Sequence, residues 1–179
     1  MNVSGGDKLA ARLREIAKQV ATPATLRVGF LEGAPHYPDG APVAMVAAIQ
    51  EFGAPSKGIP PRPFFRRMIA EKSGTWGDAT AALLPRNDYD PVKTLEMVGD
   101  GIKGQLQKSI RDLTSPPLSP VTLLLRQRFG NNPQEITFGD VLQARRDIAA
   151  GKVPNVTPTQ AKPLEWTGHM LNSVDREVS

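Results

Sequence analysis

"DPVKTLEMVGDGIKGQLQKSIRDL", residues 90–113, is the stretch on which the fold turns. Asp90 suits an N-cap, and Pro91 suits the first helical turn, where a missing N–H costs nothing. Val92, Leu95, Val98, Ile102, Leu106, Ile110 and Leu113 then step by three or four, which makes one continuous apolar stripe. Such a helix needs a sheet or another helix to cover the stripe, so the flanking segments must supply that cover.

Upstream, "GGDKLAARLREIAKQVATP" predicts a helix capped at Asp7, with Leu9, Leu13, Ile16 and Val20 on one face and Thr22-Pro23 as its end. "TLRVGFLE" alternates, placing Leu26, Val28 and Phe30 on one face of a strand and Arg27 and Gly29 opposite. Residues 33–42, "GAPHYPDGAP", form a turn-rich loop whose composition suits a mobile arm. "PVAMVAAIQEF" fits two templates. Pro42 can start a short helix and Gly53 stop it, but Val43, Met45, Ala47 and Ile49 also alternate as in a strand. After a Pro-rich loop, Pro63 opens another helix with Phe64, Met68 and Ile69 inward and Arg62, Arg66 and Arg67 outward. Gly74 and Gly77 interrupt that helix before "DATAALL" resumes it.

Downstream, "SPPLSPVTLLLRQRFG" is a rigid turn followed by a helix capped by Ser119 and ended near Gly130. "TFGDVLQARRDIAAG" predicts a further helix, with Val141, Leu142, Ala144 or Arg145, Ile148 and Ala149 along it and Gly151 as its stop. "KVPNVTPTQAK" reads as a loop. "KPLEWTGHMLNSVDREV" passes through a short helical turn into a terminal strand, where Val174 and Val178 alternate with Asp175 and Glu177.

Composition narrows the function classes. The 179 residues suit one domain, 1–179, and 40% hydrophobic content supports a core. With aromatics at 6%, that core is built mainly from Leu, Ile, Val and Ala. Sixteen glycines and 17 prolines predict long irregular connections. The absence of cysteine excludes disulfides and thiolate metal sites. No apolar run has the length of a signal peptide or approaches the roughly 20 residues of a membrane span, which suits a protein made in the cytoplasm. A formal charge of +4 is modest, and acidic residues interleave the basic ones, as on a solvated mixed surface.

Several motifs invite a chemical reading that their context rejects. "GDGIKG", residues 99–104, matches G-x-G-x-x-G but lies inside the helical stripe instead of between a strand and a helix, and the acidic residue expected some 20 positions on is missing. Gly99, Gly101 and Gly104 there are expected to permit close packing or a bend. His36 and His169 sit in separate loops without ligand spacing, so no metal or cofactor is expected. Glu51 and Glu165 could form a carboxylate pair, but any chain of this size offers such pairs. Ser119 and Ser173 have no base nearby in sequence. With no nucleophile–base–orienter set visible, no enzymatic activity is expected.

That leaves "IQEFGAPSKGIPPRPFFRR", residues 49–67, which places prolines, a Phe pair and two arginines between helical segments. It reads as a shaped docking element. Taken in order, "VAAIQEFG", "IPPRPFFRRMI", "SPPLSPVT" and "KPLEWTGHMLNSV" resemble the virion-morphogenesis proteins of tailed bacteriophages, the tail-completion, neck or minor tail family. The resemblance covers about residues 25–178, with the long helix between the second and third blocks. Residues 123–161 are longer than the family pattern and imply an added helical insertion, with a subunit contact as its expected use.

The resemblance implies an α+β fold: a small mixed sheet packed against a long amphipathic helix, with mobile Pro/Gly-rich loops and that extra helical insertion. It also implies a structural protein that forms a ring at the head–tail junction of the virion, joins tail to head and lines the DNA exit path. Its partners would be further copies of itself, in a hexamer or a dodecamer, the neighbouring neck or connector proteins, and the tail-tube or tail-terminator proteins. Contact with genomic DNA in the lumen would be non-specific, and no membrane is involved. Aromatic and Arg anchors suit such an interface. Phe52, Ile59, Pro60, Arg62, Phe64, Phe65, Arg66, Arg67, Trp166 and His169 are therefore the candidate contact residues. The competing reading is that Phe52, Phe64 and Phe65 fill the monomer's own core. The competing function is a non-sequence-specific nucleic-acid-binding module, whose affinity would fall steeply with salt.

Overall fold

The computed structural model describes residues 5–130 and 132–179; residues 1–4 and 131 of the expected 1–179 domain lie outside them. In chain order the elements are α1 (Gly6–Val20), β1 (Leu26–Gly29), α2 (Val43–Phe52), α3 (Phe64–Lys72), α4 (Trp76–Leu83), α5 (Pro91–Asp112), α6 (Pro120–Phe129), α7 (Phe138–Ala149), α8 (Pro158–Ala161), α9 (His169–Asn172) and β2 (Asp175–Val178). The class is α+β. The sheet is small, with β1 and β2 antiparallel and Leu26 opposite Val178, Val28 opposite Arg176.

α5 organises the rest. The Asp90 side chain accepts from the Lys93 N–H at its start, as expected of the cap. Val98, Ile102, Leu106, Ile110 and Leu113 are buried. Val92, expected on the stripe, is exposed, and Thr94 is the residue of that first turn that is buried instead. The sheet lies along one flank of the stripe, where Lys103 pairs with Asp175. It comes close because Gly99 has no side chain: a Cβ there would stand 2.7 Å from Leu26 Cδ1 and 2.9 Å from Arg176 Cδ. Gly101 and Gly104 face open space, so of the three glycines only Gly99 serves close packing. Along the other flank the Trp76 indole donates to Gln105, and Ser109 donates to the Phe64 carbonyl, which seats α4 and α3.

Two apolar clusters result. The larger joins Val43, Ala47, Phe64 and Met68 to the α5 stripe and to Leu164, Met170 and Val174. The smaller is Leu124, Leu125 and Ala144, with Val121, Phe129, Ile136, Val141 and Ile148 packed around them, and it holds α6 to α7. Both helices of that pair begin on side-chain caps, Ser119 for α6 and Thr137, in a reciprocal capping box with Asp140, for α7.

Several expectations need correcting. Of the two templates left open for residues 42–52 the helix is the one adopted, over Val43–Phe52, with its alternating residues on different faces. Ile69 is exposed because the inner face of α3 is set by Phe64 and Met68, four residues apart. Arg62, expected outside, is buried. Asp7 is inside the first turn of α1, where its charge favours the helix N-terminus, and Gly5 is the cap position. The 152–162 segment is not all loop: Thr157 and Gln160 close a capping box over the four-residue α8.

Candidate functional site

The 49–67 stretch folds as a clasp between α2 and α3. Gly53 ends α2 with φ +78°, and a Cβ there would stand 2.8 Å from the Ile59 carbonyl oxygen and from the Pro61 nitrogen. Only glycine fits both that conformation and that approach. Ala54 and Ile59 pair across the loop through two backbone hydrogen bonds, and the Arg62 N–H donates to the Gln50 carbonyl at 2.7 Å. The loop's prolines thus lead the chain back alongside α2.

This return places the start of α3 against Glu51. The Glu51 carboxylate, on α2, is buried and accepts from the Phe65 N–H at 2.9 Å, the Arg66 N–H at 3.2 Å and Arg66 Nε at 2.7 Å. It therefore caps α3 from another helix, satisfying free N–H groups and facing the positive end of the helix dipole. The Arg66 guanidinium also lies 4.9 Å over the Phe52 ring. A buried carboxylate with these three donors has a structural role, and Glu165 pairs separately with Lys162.

A second cluster is built on two buried arginines. Arg62 donates from Nε to the Pro116 carbonyl at 3.3 Å and from an amino group to Gln50 Oε1 at 2.9 Å. Arg126, on α6, donates to the carbonyls of Gln160 at 2.8 Å, Lys162 at 2.7 Å and Pro163 at 3.1 Å, and its guanidinium lies 5.0 Å over the Trp166 ring. Burial brings the Arg126 pKa down to about 10, with the neighbouring Arg62 charge adding to the effect. At neutral pH Arg126 is still a cation. Carbonyl dipoles and an aromatic face stabilise it in place of a carboxylate, and in doing so it ties the 160–165 segment to α6.

Beside Arg126 lies a cavity of about 300 Å³, walled by Tyr37, Val46, Gln50, Arg126, Trp166 and His169 among others. The Tyr37 ring sits 4.6 Å from the His169 ring, and burial, followed by the nearby Asp39 charge, raises the Tyr37 pKa. Arg126 Nε and His169 Nε2 are buried and have no hydrogen-bond partner among the described residues. The wall is mostly apolar. Ser173 Oγ donates to the His169 backbone carbonyl, not to its ring, and Ser119 Oγ is occupied as the α6 cap. Among the described residues, no group of three or more His, Asp or Glu side chains could hold a metal ion.

The candidate contact residues divide by burial. Phe64 and Arg62 are interior, and Phe65 is half-buried against the main core, so two of the three phenylalanines fill the monomer's own core. Phe52 is 63% exposed, and Pro60, Arg66 and Arg67 are also exposed, with Arg67 paired to Glu71. Ile59 is half-buried in the loop. Trp166 and His169, also half-buried, stand together on the cavity wall, with the Trp166 indole donating to the Gly130 carbonyl. His169 is the first residue of α9 and not in a loop, while His36 bridges to Pro42 across the 33–42 turn.

Sequence reasoning missed the Glu51 cap, the Gln50–Arg62 bond and the Arg126 anchor. Their only signals were polar residues inside apolar runs: Gln50 and Glu51 closing "VAAIQEF", and Arg126 following three leucines. In comparisons with protein-family models, curated proteins and solved structures, no match to this chain is found.

Proposed function

We propose that this chain is a structural virion protein of a tailed bacteriophage, a tail-completion or neck adaptor that forms a ring at the head–tail junction, joins tail to head and surrounds the DNA exit path. It works by shape and contact and catalyses no reaction. One observation carries the reading. Three of the four sequence blocks behind the resemblance bond to one another, Glu51 to Phe65 and Arg66 and Arg62 to Pro116 across more than 50 residues, and the fourth is held by Arg126, just past the third block, which donates to Pro163. The residues that carry the resemblance are thus the residues that hold one scaffold together, while the helices around it leave apolar surface uncovered. Ring contacts of the head-to-tail kind use such surface.

A stand-alone nucleic-acid-binding module would present an unbalanced basic face. Here Arg12 pairs with Glu15, Arg67 with Glu71, Lys108 with Asp112 and Arg128 with Asp147, which weighs against that reading. No helix among the described residues is long and apolar enough to cross a membrane. The deciding experiment is gene deletion with electron microscopy of the lysate. Separate full heads and finished tails are expected, rejoined when the protein is supplied, and gold label on intact particles should mark the junction. Infectious particles of normal form from the deletion would overturn the proposal.

A further inference from the structure

Two helices of this chain carry apolar faces that no apolar element covers among the described residues. None of the side chains of α1 is buried, although Leu9, Leu13, Ile16 and Val20 align along it; Leu9 is 61% and Leu13 56% exposed. A 15-residue helix is marginal in water by itself, and an amphipathic stripe normally reports a packing partner. On α2 the inner face is Val43, Ala47 and Glu51, and the outer face is Ala44, Met45, Ala48 and Phe52, bordered by Ile49. That outer face carries no charge at all, which is unusual for a helix side turned to solvent.

We infer that α1 of one copy lies along the outer face of α2 of the next copy, a head-to-tail contact between identical chains. This inference rests on the reading of the chain as a ring-forming protein. The two faces match in extent: Leu9 to Val20 spans about 16 Å and Ala44 to Phe52 about 12 Å at the helical rise. They match in size of side chain, since the small, exposed Ala44 and Ala48 beside Met45 and Phe52 allow the branched side chains of α1 to approach. Neither face has a charged side chain of its own, and the Arg66 guanidinium over the Phe52 ring, 57% exposed, lies at the end of the α2 face and can stay in water at the rim of the contact, so little desolvation of an ion opposes it. The two faces also stand open together within one chain, so α1 does not cover its own α2.

Size explains why the contact suits a ring. A four-turn helix on a three-turn helix buries well below the ~800 Å² per partner of a standard stable pair. Each copy, however, carries one donor face and one acceptor face. Closing the ring uses both on every copy, whereas an open dimer uses one of each and leaves the others in water.

The chain has no cysteine, so a cross-linking test is clean. Leu13→Cys and Ala48→Cys are made separately and together in the full chain, and oxidised at millimolar concentration. A disulfide between copies is expected when the two single variants are mixed, little when either is alone, and a ladder of covalent oligomers from the double variant. An internally linked monomer would mean that α1 folds back on its own α2, and would overturn the inference. So would the absence of any cross-link, or Leu13→Cys homodimers as abundant as mixed ones. In parallel, Leu13→Glu and Ala48→Glu should each weaken self-association in sedimentation at least tenfold and leave the monomer's melting unchanged. A ring that persists in both variants overturns the helix pairing but leaves the ring reading standing. Failure to find the protein at the head–tail junction removes the virion reading, while the cross-link result stands on its own.

Discussion

Glu51 and Arg66 are an ion pair at 2.7 Å, but the two partners are not equivalent. Glu51 is buried, with two backbone N–H groups also depending on it, whereas the Arg66 side chain is 57% exposed. Removing a buried acceptor leaves its donors unsatisfied; removing an exposed cation does not. Glu51→Ala is therefore expected to lower stability by ~2–4 kcal/mol, and Arg66→Ala by under ~1 kcal/mol. The urea midpoint at unchanged slope reads both. Equal effects would mean that the ion pair, and not the α3 cap, is what matters. Arg126 makes the complementary case. Arg126→Lys keeps a charge but replaces a planar fork reaching the Gln160, Lys162 and Pro163 carbonyls with a point donor. A loss of ~1–3 kcal/mol is expected, with faster hydrogen exchange confined to the 160–165 segment. Neither role was legible beforehand, because each partner lies on a different element and only chain return brings them together.

At the scale of the element, the "GDGIKG" motif of α5 gives predictions of opposite sign. Gly99→Ala puts a methyl 2.7 Å from Leu26 Cδ1 and 2.9 Å from Arg176 Cδ, so both side chains must shift from their packed positions, and a net destabilisation of ~1 kcal/mol is expected. Gly101→Ala, two residues along the same helix, meets nothing within 4 Å. It should stabilise by ~0.5–1 kcal/mol, because alanine loses less backbone freedom on folding. Thermal melts of the two variants check this, and a shared sign would contradict the packing. Caps and stripes made α5, α6 and α7 legible from sequence. α2 was not legible, since its apolar residues satisfy both periods and its one charged residue, Glu51, is buried and so marks no solvent side.

At the scale of the whole molecule, the exposed carboxylates act in one direction. Asp100 is held below the usual carboxylate range first by its hydrogen bond from Arg176, Asp147 by that from Arg128, Asp175 by that from Lys103 and Asp112 by that from Lys108. A carboxylate whose folded pKa is depressed contributes stability that is present above its unfolded pKa and is lost as pH falls through the folded one. The melting temperature is thus expected to hold down to about pH 4 and then fall. The fall should be shallower in high salt, because these pairs are at the surface. A melting temperature that rises on acidification would contradict these pairings. The two cores are also unequal. Leu124, Leu125 and Ala144 form a much smaller buried set than the one around α5, so amides of α6 and α7 should exchange before those of α5 in native-state hydrogen exchange.

The sequence by itself determined the long helix, its cap, the two strands as extended segments and the breaks between elements. Each of those depends on residues a few positions apart, where periodicity and capping chemistry act locally. Only the tertiary structure decided that Arg62 and Phe64 turn inward, that Glu51 caps a helix other than its own, and that the faces of α1 and α2 remain open. Those outcomes depend on which surfaces meet after the Pro-rich loop returns the chain to α2, and no local pattern records a contact between segments brought together by that return.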